Sequence, residues 1–173
     1  MKLLPYSPQS GLSVEAKLES GQKAFTLSFE VTGDAIENLV LPALSQKPER
    51  KNELWKQTCF ECFFSVGNSS RYYEFNGSPS GDWALYAFDD YRAGMKEVVF
   101  RSSAVTPVME TIEHTAEKII CVWRIPQFTE EFFDRAGVTA VINDGTEISY
   151  WAIKHAGEKP DFHLKGSFIH RFF

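Results

Sequence analysis

The sequence predicts an all-β fold: a two-sheet antiparallel β-sandwich or jelly roll with one short helix, forming a single domain over residues 1–173. Three observations predict it. Short segments that alternate apolar and polar residues recur at roughly 8–12-residue spacing, the rhythm of sandwiches and barrels. Aromatic residues make up 14% of the chain (fifteen Phe, six Tyr, four Trp), a bias that suits strands. Only one stretch carries both a helix start and a helix stop.

Leu12, Val14, Ala16 and Leu18 interleave with Ser13, Glu15 and Lys17, and Phe25, Leu27, Phe29 and Val31 interleave with Thr26, Ser28 and Glu30. Each run reads as a half-buried strand, with Glu19–Lys23 turning between them. Leu39–Leu44 reads as a short strand, and 47–52 as a charged loop. Further strands are expected at Thr58–Val66, Arg71–Asn76, Trp83–Phe88, Val98–Arg101, Val105–Thr111, Ile119–Ile125, Val138–Ile142, Ile148–Ile153 and Phe168–Phe172. The helix is expected at Glu130–Ala136, capped by Thr129 and ended by Gly137.

A net charge of −5 and a pI of about 5.4 leave no basic footprint for nucleic acid, and disfavour anionic membrane surfaces. The N-terminus lacks the apolar core of a signal peptide, and no apolar run approaches the ~18 residues of a membrane span. A cytoplasmic location is expected. Three cysteines, an odd number, suit a reducing compartment. Cys59 and Cys62 form a nominal CxxC, but strand positions three apart point to opposite faces, which predicts two separate, buried, metal-free thiols.

The hairpin around Gly67–Ser70 fixes a register. Phe64 should face Tyr73 and Cys62 face Phe75 on one side; on the other, Ser65 should meet Tyr72, Phe63 meet Glu74 and Glu61 meet Asn76. A slip of one residue would drive Glu74 and Asn76 into the apolar face. Glu61, Glu74 and Asn76 therefore gather at one end of the polar face, with Trp55 and Trp83 just outside the strands that carry them. Such groups could bind sugar hydroxyls, a cation or an ammonium group. They could equally form a solvated face on which the carboxylates pair with Arg71, Arg92 or Arg124. Arg92 is expected to reach Glu61 or Glu74.

Three long blocks carry a resemblance: LWKQTCFECFF, YYEFNGSPSGDWALYAFDDYRAGM and SYWAIKHAGEKPDFHLKGSF. Over Leu39–Phe173 the chain resembles bacterial DOMON-like proteins related to family 9 carbohydrate-binding modules. The resemblance implies a jelly-roll β-sandwich that holds a ligand, a sugar or haem in the wider superfamily, against one sheet. Its motif positions fall here on Trp55, Glu61, Glu74, Asn76, Ser78, Ser80, Trp83, Tyr91, Arg92, Trp151, Asp161 and His163. Family 9 modules clamp a terminal sugar between two tryptophans, which makes Trp55 and Trp151 the candidate pair.

The expected function is a ligand-binding module for a carbohydrate or similar polar small molecule. The ligand site would comprise Trp55, Glu61, Glu74, Asn76, Trp83, Arg92, Trp151 and His163, with no catalytic or metal-ligating residue assigned. Two alternatives stand beside it. Glu61 and Glu74, diagonal neighbours on adjacent strands, could serve as the acid and base of a glycosidase. Met95 and His163 could be axial ligands of haem. Acidic turns at Asp82, Asp89, Asp90 and Asn143–Gly145 offer oxygen atoms for calcium. Gly77–Gly81 has the glycine spacing of a GxSxG elbow, but Pro79 occupies the serine position, and HExxH, P-loop and GxGxxG motifs are absent.

Overall fold

The computed structural model describes residues 1–9, 11–100, 102 and 105–172. Among the described residues lie twelve strands: β1 (Lys2–Pro5), β2 (Ser13–Ser20), β3 (Ala24–Thr32), β4 (Cys59–Val66), β5 (Tyr72–Gly77), β6 (Trp83–Phe88), β7 (Lys96–Glu97), β8 (Val108–His114), β9 (Lys118–Pro126), β10 (Phe133–Asn143), β11 (Ile148–Ala152) and β12 (His170–Arg171). The fold is all-β. Among the described residues there is no α-helix, only single 3₁₀ turns at Ile36–Asn38, Leu54–Lys56 and Lys165–Ser167.

The strands form one curled antiparallel sheet in the order β7-β6-β5-β4-β10-β11-β1-β2-β3-β9-β8, with β12 on β10. Two separate sheets were expected. Instead β1, which has no counterpart among the expected strands, pairs with β2 through Leu3–Val14 and with β11 through Leu4–Ala152, and so joins the two halves. The halves curl until their inner faces meet. Phe29 of β3 stacks on Phe60 of β4 at 4.6 Å, Phe25 lies 4.9 Å from Phe64, and Phe75 of β5 meets Trp123 of β9 edge-on at 5.4 Å. These rings are buried in the main core.

The β4–β5 register is the one the hairpin predicts: Phe64 opposite Tyr73, Cys62 opposite Phe75, Ser65 opposite Tyr72, Phe63 opposite Glu74 and Glu61 opposite Asn76. Cys62 packs in the main core and Cys59 in a second apolar cluster on the other face, so the two free thiols lie on opposite sides of β4.

Three expectations are corrected. The segment placed in a helix at Glu130–Ala136 instead opens β10, with a register shift between Phe133 and Arg135. Gly137, read as a helix stop, lies mid-strand opposite Phe63. A Cβ there would come within 2.6 Å of the Phe168 ring, so glycine serves close packing and not termination. Leu39–Leu44 is not a strand, although Val40 N–H bonds to the Asn143 carbonyl at 2.9 Å. Val98–Phe100 lies past the end of the two-residue β7; Arg101, the last residue of that expected strand, lies outside the described residues.

Candidate functional site

The outer face of β4, β5 and β6 was expected to be wet unless it held a ligand. It is covered by the protein's own chain. The segment after β11 folds across it and places Phe168 against Phe63, their ring centres 5.6 Å apart. Lys165 fastens this segment by donating to the backbone carbonyls of Ser69 and Arg71 in the β4–β5 turn. Leu54 and Trp55, on a 3₁₀ turn before β4, close another side of the apolar cluster.

The covering leaves a cavity of about 410 Å³. Glu61, Phe63, Glu74, Phe88 and Val141 line it from the strands, Trp55 from the turn, and Arg92 and Met95 from the β6–β7 connection. Tyr150 of β11 and Pro160, Phe162 and His163 of the covering segment complete the wall.

Glu61 is 2% exposed. Its Oε2 accepts a hydrogen bond from Thr139 Oγ1 at 3.1 Å, across the β4–β10 pairing. Its Oε1 has no hydrogen-bond partner among the described residues. Glu74 is 5% exposed; its Oε1 accepts from Asn76 Nδ2 at 2.8 Å. Burial pushes both carboxyls up. The neighbouring Glu74 charge raises Glu61 well above the usual carboxylate range, while Glu74 rises to about 7 against the lowering pull of Asn76 and Arg92. At neutral pH the pair therefore carries fewer than two negative charges.

His163 has one ring nitrogen hydrogen-bonded and the other directed at Glu74. Nδ1 lies 2.7 Å from the Tyr72 hydroxyl, and Nε2 lies 3.8 Å from Glu74 Oε2. The Tyr72 oxygen also accepts from the Arg92 backbone N–H at 3.2 Å. In the tautomer that gives the Tyr72 hydroxyl hydrogen an acceptor at Nδ1, the imidazole proton is on Nε2, facing Glu74. Burial and then the Arg92 charge hold His163 down to about 4, so the ring is neutral.

Arg92 adopts a left-handed backbone, with φ of 50°, and lines the cavity. Its guanidinium does not pair with Glu61 or Glu74. It bonds to Asp161 Oδ1 at 3.0 Å, while the Tyr91 hydroxyl takes Oδ2. Asp161 also accepts from the His163 backbone N–H at 3.0 Å, so the cluster ties the β6–β7 connection to the covering segment. The other arginines weighed for this face are engaged elsewhere: Arg71 with Glu131 and Arg124 with Glu110.

Of the eight expected ligand-site residues, the cavity gathers Trp55, Glu61, Glu74, Arg92 and His163. Asn76 is fully buried and is not part of the cavity lining; it orients Glu74. Trp151 points inward. Its strand partner is Ala140, both belong to the main core, and its Nε1 donates to Ser149 Oγ at 2.9 Å, so the Trp55–Trp151 pair does not form. Trp83 is likewise in the main core, 5.6 Å from the Phe100 ring and beneath the Arg50 guanidinium.

Ser78 and Ser80 belong to a separate structural knot. Ser80 Oγ lies 2.9 Å from both Ser78 Oγ and Asp82 Oδ2, and Asp82 accepts from Lys51 and from the Glu49 backbone. The other acidic turns are also engaged. Asp89 pairs with Lys96, and Asp144 accepts from the backbone N–H groups of Thr146 and Glu147. Among the described residues no cluster of three or more His, Cys, Asp or Glu side chains is placed to hold a metal ion.

The sequence reading missed Tyr150, Phe162 and Thr139. For Thr139 the signal was present. It falls on the polar phase of Val138–Ile142, and Val138 opposite Cys62 puts Thr139 opposite Glu61.

No protein-family model matches the sequence, and no curated protein matches it. Two solved structures do. A candidate carbohydrate-binding protein from Bacteroides uniformis superposes with a TM-score of 0.58 at 17% identity, over 94% of this chain and 77% of its own. A family 9 carbohydrate-binding module from Caldicellulosiruptor kristjanssonii, in complex with cellotriose, gives a TM-score of 0.49 at 14% identity, over 90% of this chain and 73% of its own. At these identities the first likeness establishes the fold alone.

Proposed function

We propose that the protein is a binding module for a carbohydrate, or a polar small molecule of similar size, held in the cavity over β4–β6. One observation carries the reading: Glu61 Oε1 is buried in the wall of an aromatic-lined cavity with no hydrogen-bond partner among the described residues. A buried polar atom left unpaired costs roughly 1–3 kcal/mol, which a ligand hydroxyl would recover. Trp55, Tyr150 and Phe162 offer apolar surface for a sugar ring, and the His163 Nε2–H offers a donor. The volume falls within the ~300–1,000 Å³ typical of small-molecule sites. The shared fold with the Bacteroides uniformis protein supports the same reading by analogy. We assign the fold to the DOMON-like jelly rolls on the three sequence blocks, with Tyr150, in place of Trp151, sharing the cavity wall with Trp55. The free cysteines and acidic balance support a cytoplasmic setting without nucleic-acid or membrane partners.

A second reading, glycoside hydrolysis, is favoured by the rise of Glu74 to about 7 beside Glu61, which suits a proton donor at neutral pH. Haem fits poorly. Nδ1 of His163 is held by Tyr72, and the cavity wall carries two buried carboxyls where a porphyrin needs an apolar plane.

A glycan array combined with tryptophan fluorescence tests the proposal. At least one sugar class should bind and shift the emission, and Trp55→Phe should remove the shift. Silence across the array, with no sugar raising the melting temperature, would refute it. Release of product from a bound aryl glycoside, abolished in both Glu61→Gln and Glu74→Gln, would move the assignment to the second reading.

A further inference from the structure

Two carboxylates are buried together in one cavity wall, and no described arginine or lysine pairs with either. Arg92, the guanidinium in that wall, is bonded to Asp161 and acts on Glu74 only through its charge, and the nearby imidazole of His163 is neutral. The remaining charged and titratable groups facing the pair are Cys59 on β4, Tyr72 on β5 and Tyr86 on β6. None of them brings a positive charge. A buried carboxylate without a counter-ion either keeps its proton or recruits a cation. The rings of Trp55, Phe63, Phe88 and Tyr150 line the same cavity, and aromatic rings attract ammonium groups.

Resting on the carbohydrate reading above, we infer that the ligand carries an ammonium group seated against Glu61 and Glu74, so that the preferred class is an amino sugar with a free amine. A charge-assisted N⁺–H···O⁻ bond is roughly twice as strong as a neutral one, and Glu61 Oε1 is the atom open to receive it. A neutral sugar satisfies that oxygen while the pair keeps its proton, and so it forgoes the charge-assisted bond. An N-acetylated sugar has no positive charge to offer. When the ammonium group enters, the proton that burial keeps on the pair leaves to solvent, so binding is accompanied by proton release.

Isothermal titration calorimetry of the whole chain at pH 7 tests this with four ligands: glucosamine, N-acetylglucosamine, glucose and cyclohexylamine. Glucosamine should bind about tenfold or more tighter than glucose and N-acetylglucosamine. Its heat should differ between buffers of unlike ionisation enthalpy by the amount that proton release requires. Glu61→Gln and Glu74→Gln should each collapse the preference to within about threefold, and each keeps an oxygen for the hydrogen bond its carboxylate now accepts. Glucose or N-acetylglucosamine binding as tightly as glucosamine would overturn the inference and leave the carbohydrate reading standing. Cyclohexylamine binding while no sugar binds would support the ammonium seat and overturn the carbohydrate reading. Failure of all four to bind would overturn the inference.

Discussion

The Tyr72 hydroxyl lies 2.7 Å from Nδ1 of His163, and this contact, together with the Arg92 backbone N–H on the same oxygen, sets the imidazole so that Nε2 faces Glu74. A strand, a connection and the covering segment are thus coupled through one phenol. Tyr72→Phe should free the ring to flip and should weaken ligand binding about tenfold while leaving the fold intact. Binding titrations and the thermal melt of that variant check both halves.

Glu74 and His163 should oppose each other in the pH dependence of stability. The Glu74 pKa rises on folding from 4.5 to about 7, so its stabilising contribution is full below about pH 4.5 and is lost as pH rises through about 7. The His163 pKa falls from 6.5 to about 4, so its contribution is full above about pH 6.5 and is lost as pH falls through about 4. Glu74→Gln should therefore gain stability relative to wild type as pH rises from 4.5 to 7, and His163→Gln should lose it over the same window. Melting temperatures at four pH values across that range decide the signs.

Arg92 depresses His163 by its charge. In Arg92→Ala the imidazole should titrate at a higher pH, toward its ordinary range, while its Tyr72 bond persists. NMR titration of the ring protons measures the change; an unmoved value would mean that burial alone governs the ring.

The two tryptophans of the expected clamp should separate. Trp55 is half-buried in the cavity wall, so Trp55→Ala should abolish ligand binding at a cost below about 1.5 kcal/mol of stability. Trp151 is 2% exposed and lies in the main core, so Trp151→Ala should cost about 3–5 kcal/mol. Urea melts compare them.

Gly77 marks a close approach of the two sheet halves. A Cβ there would lie 2.6 Å from the buried Trp123 indole. Gly77→Ala should destabilise by about 1–3 kcal/mol through overpacking, and Trp123→Phe in the same chain should relieve part of the loss.

What was legible in the sequence follows from the range of the interaction. The Glu61–Asn76 and Phe63–Glu74 pairings could be read because a short turn and a strict alternation decide them locally. The choice between Tyr150 and Trp151 could not. Neighbouring aromatics on one strand differ only in phase, and the phase is set by pairing to Val141 and Ala140 on β10. The supposed helix failed for a similar reason. Its cap and stop signals were local, whereas the packing of Phe168 over Gly137 is long-range and prevailed. The covering segment has no period of its own, so Asp161 and His163 were marked only by the resemblance, and nothing announced that Phe162 would join them over the carboxyls.

Leu4 opposite Ala152 and Leu3 opposite Val14 also bear on how fast the protein assembles. A strand of four residues holds the two halves of the sheet in one hydrogen-bonded ladder, and its link to β11 spans nearly the whole numbered chain. Closing so large a loop forfeits chain entropy before any contact rewards it, which places the protein among the slow, non-local folders with refolding times of roughly milliseconds to seconds. Once closed, the hydrogen-bonded path between the two halves runs through β1. Amide exchange in β1 should then track global unfolding, and the binding cavity should appear and vanish with the entire sheet.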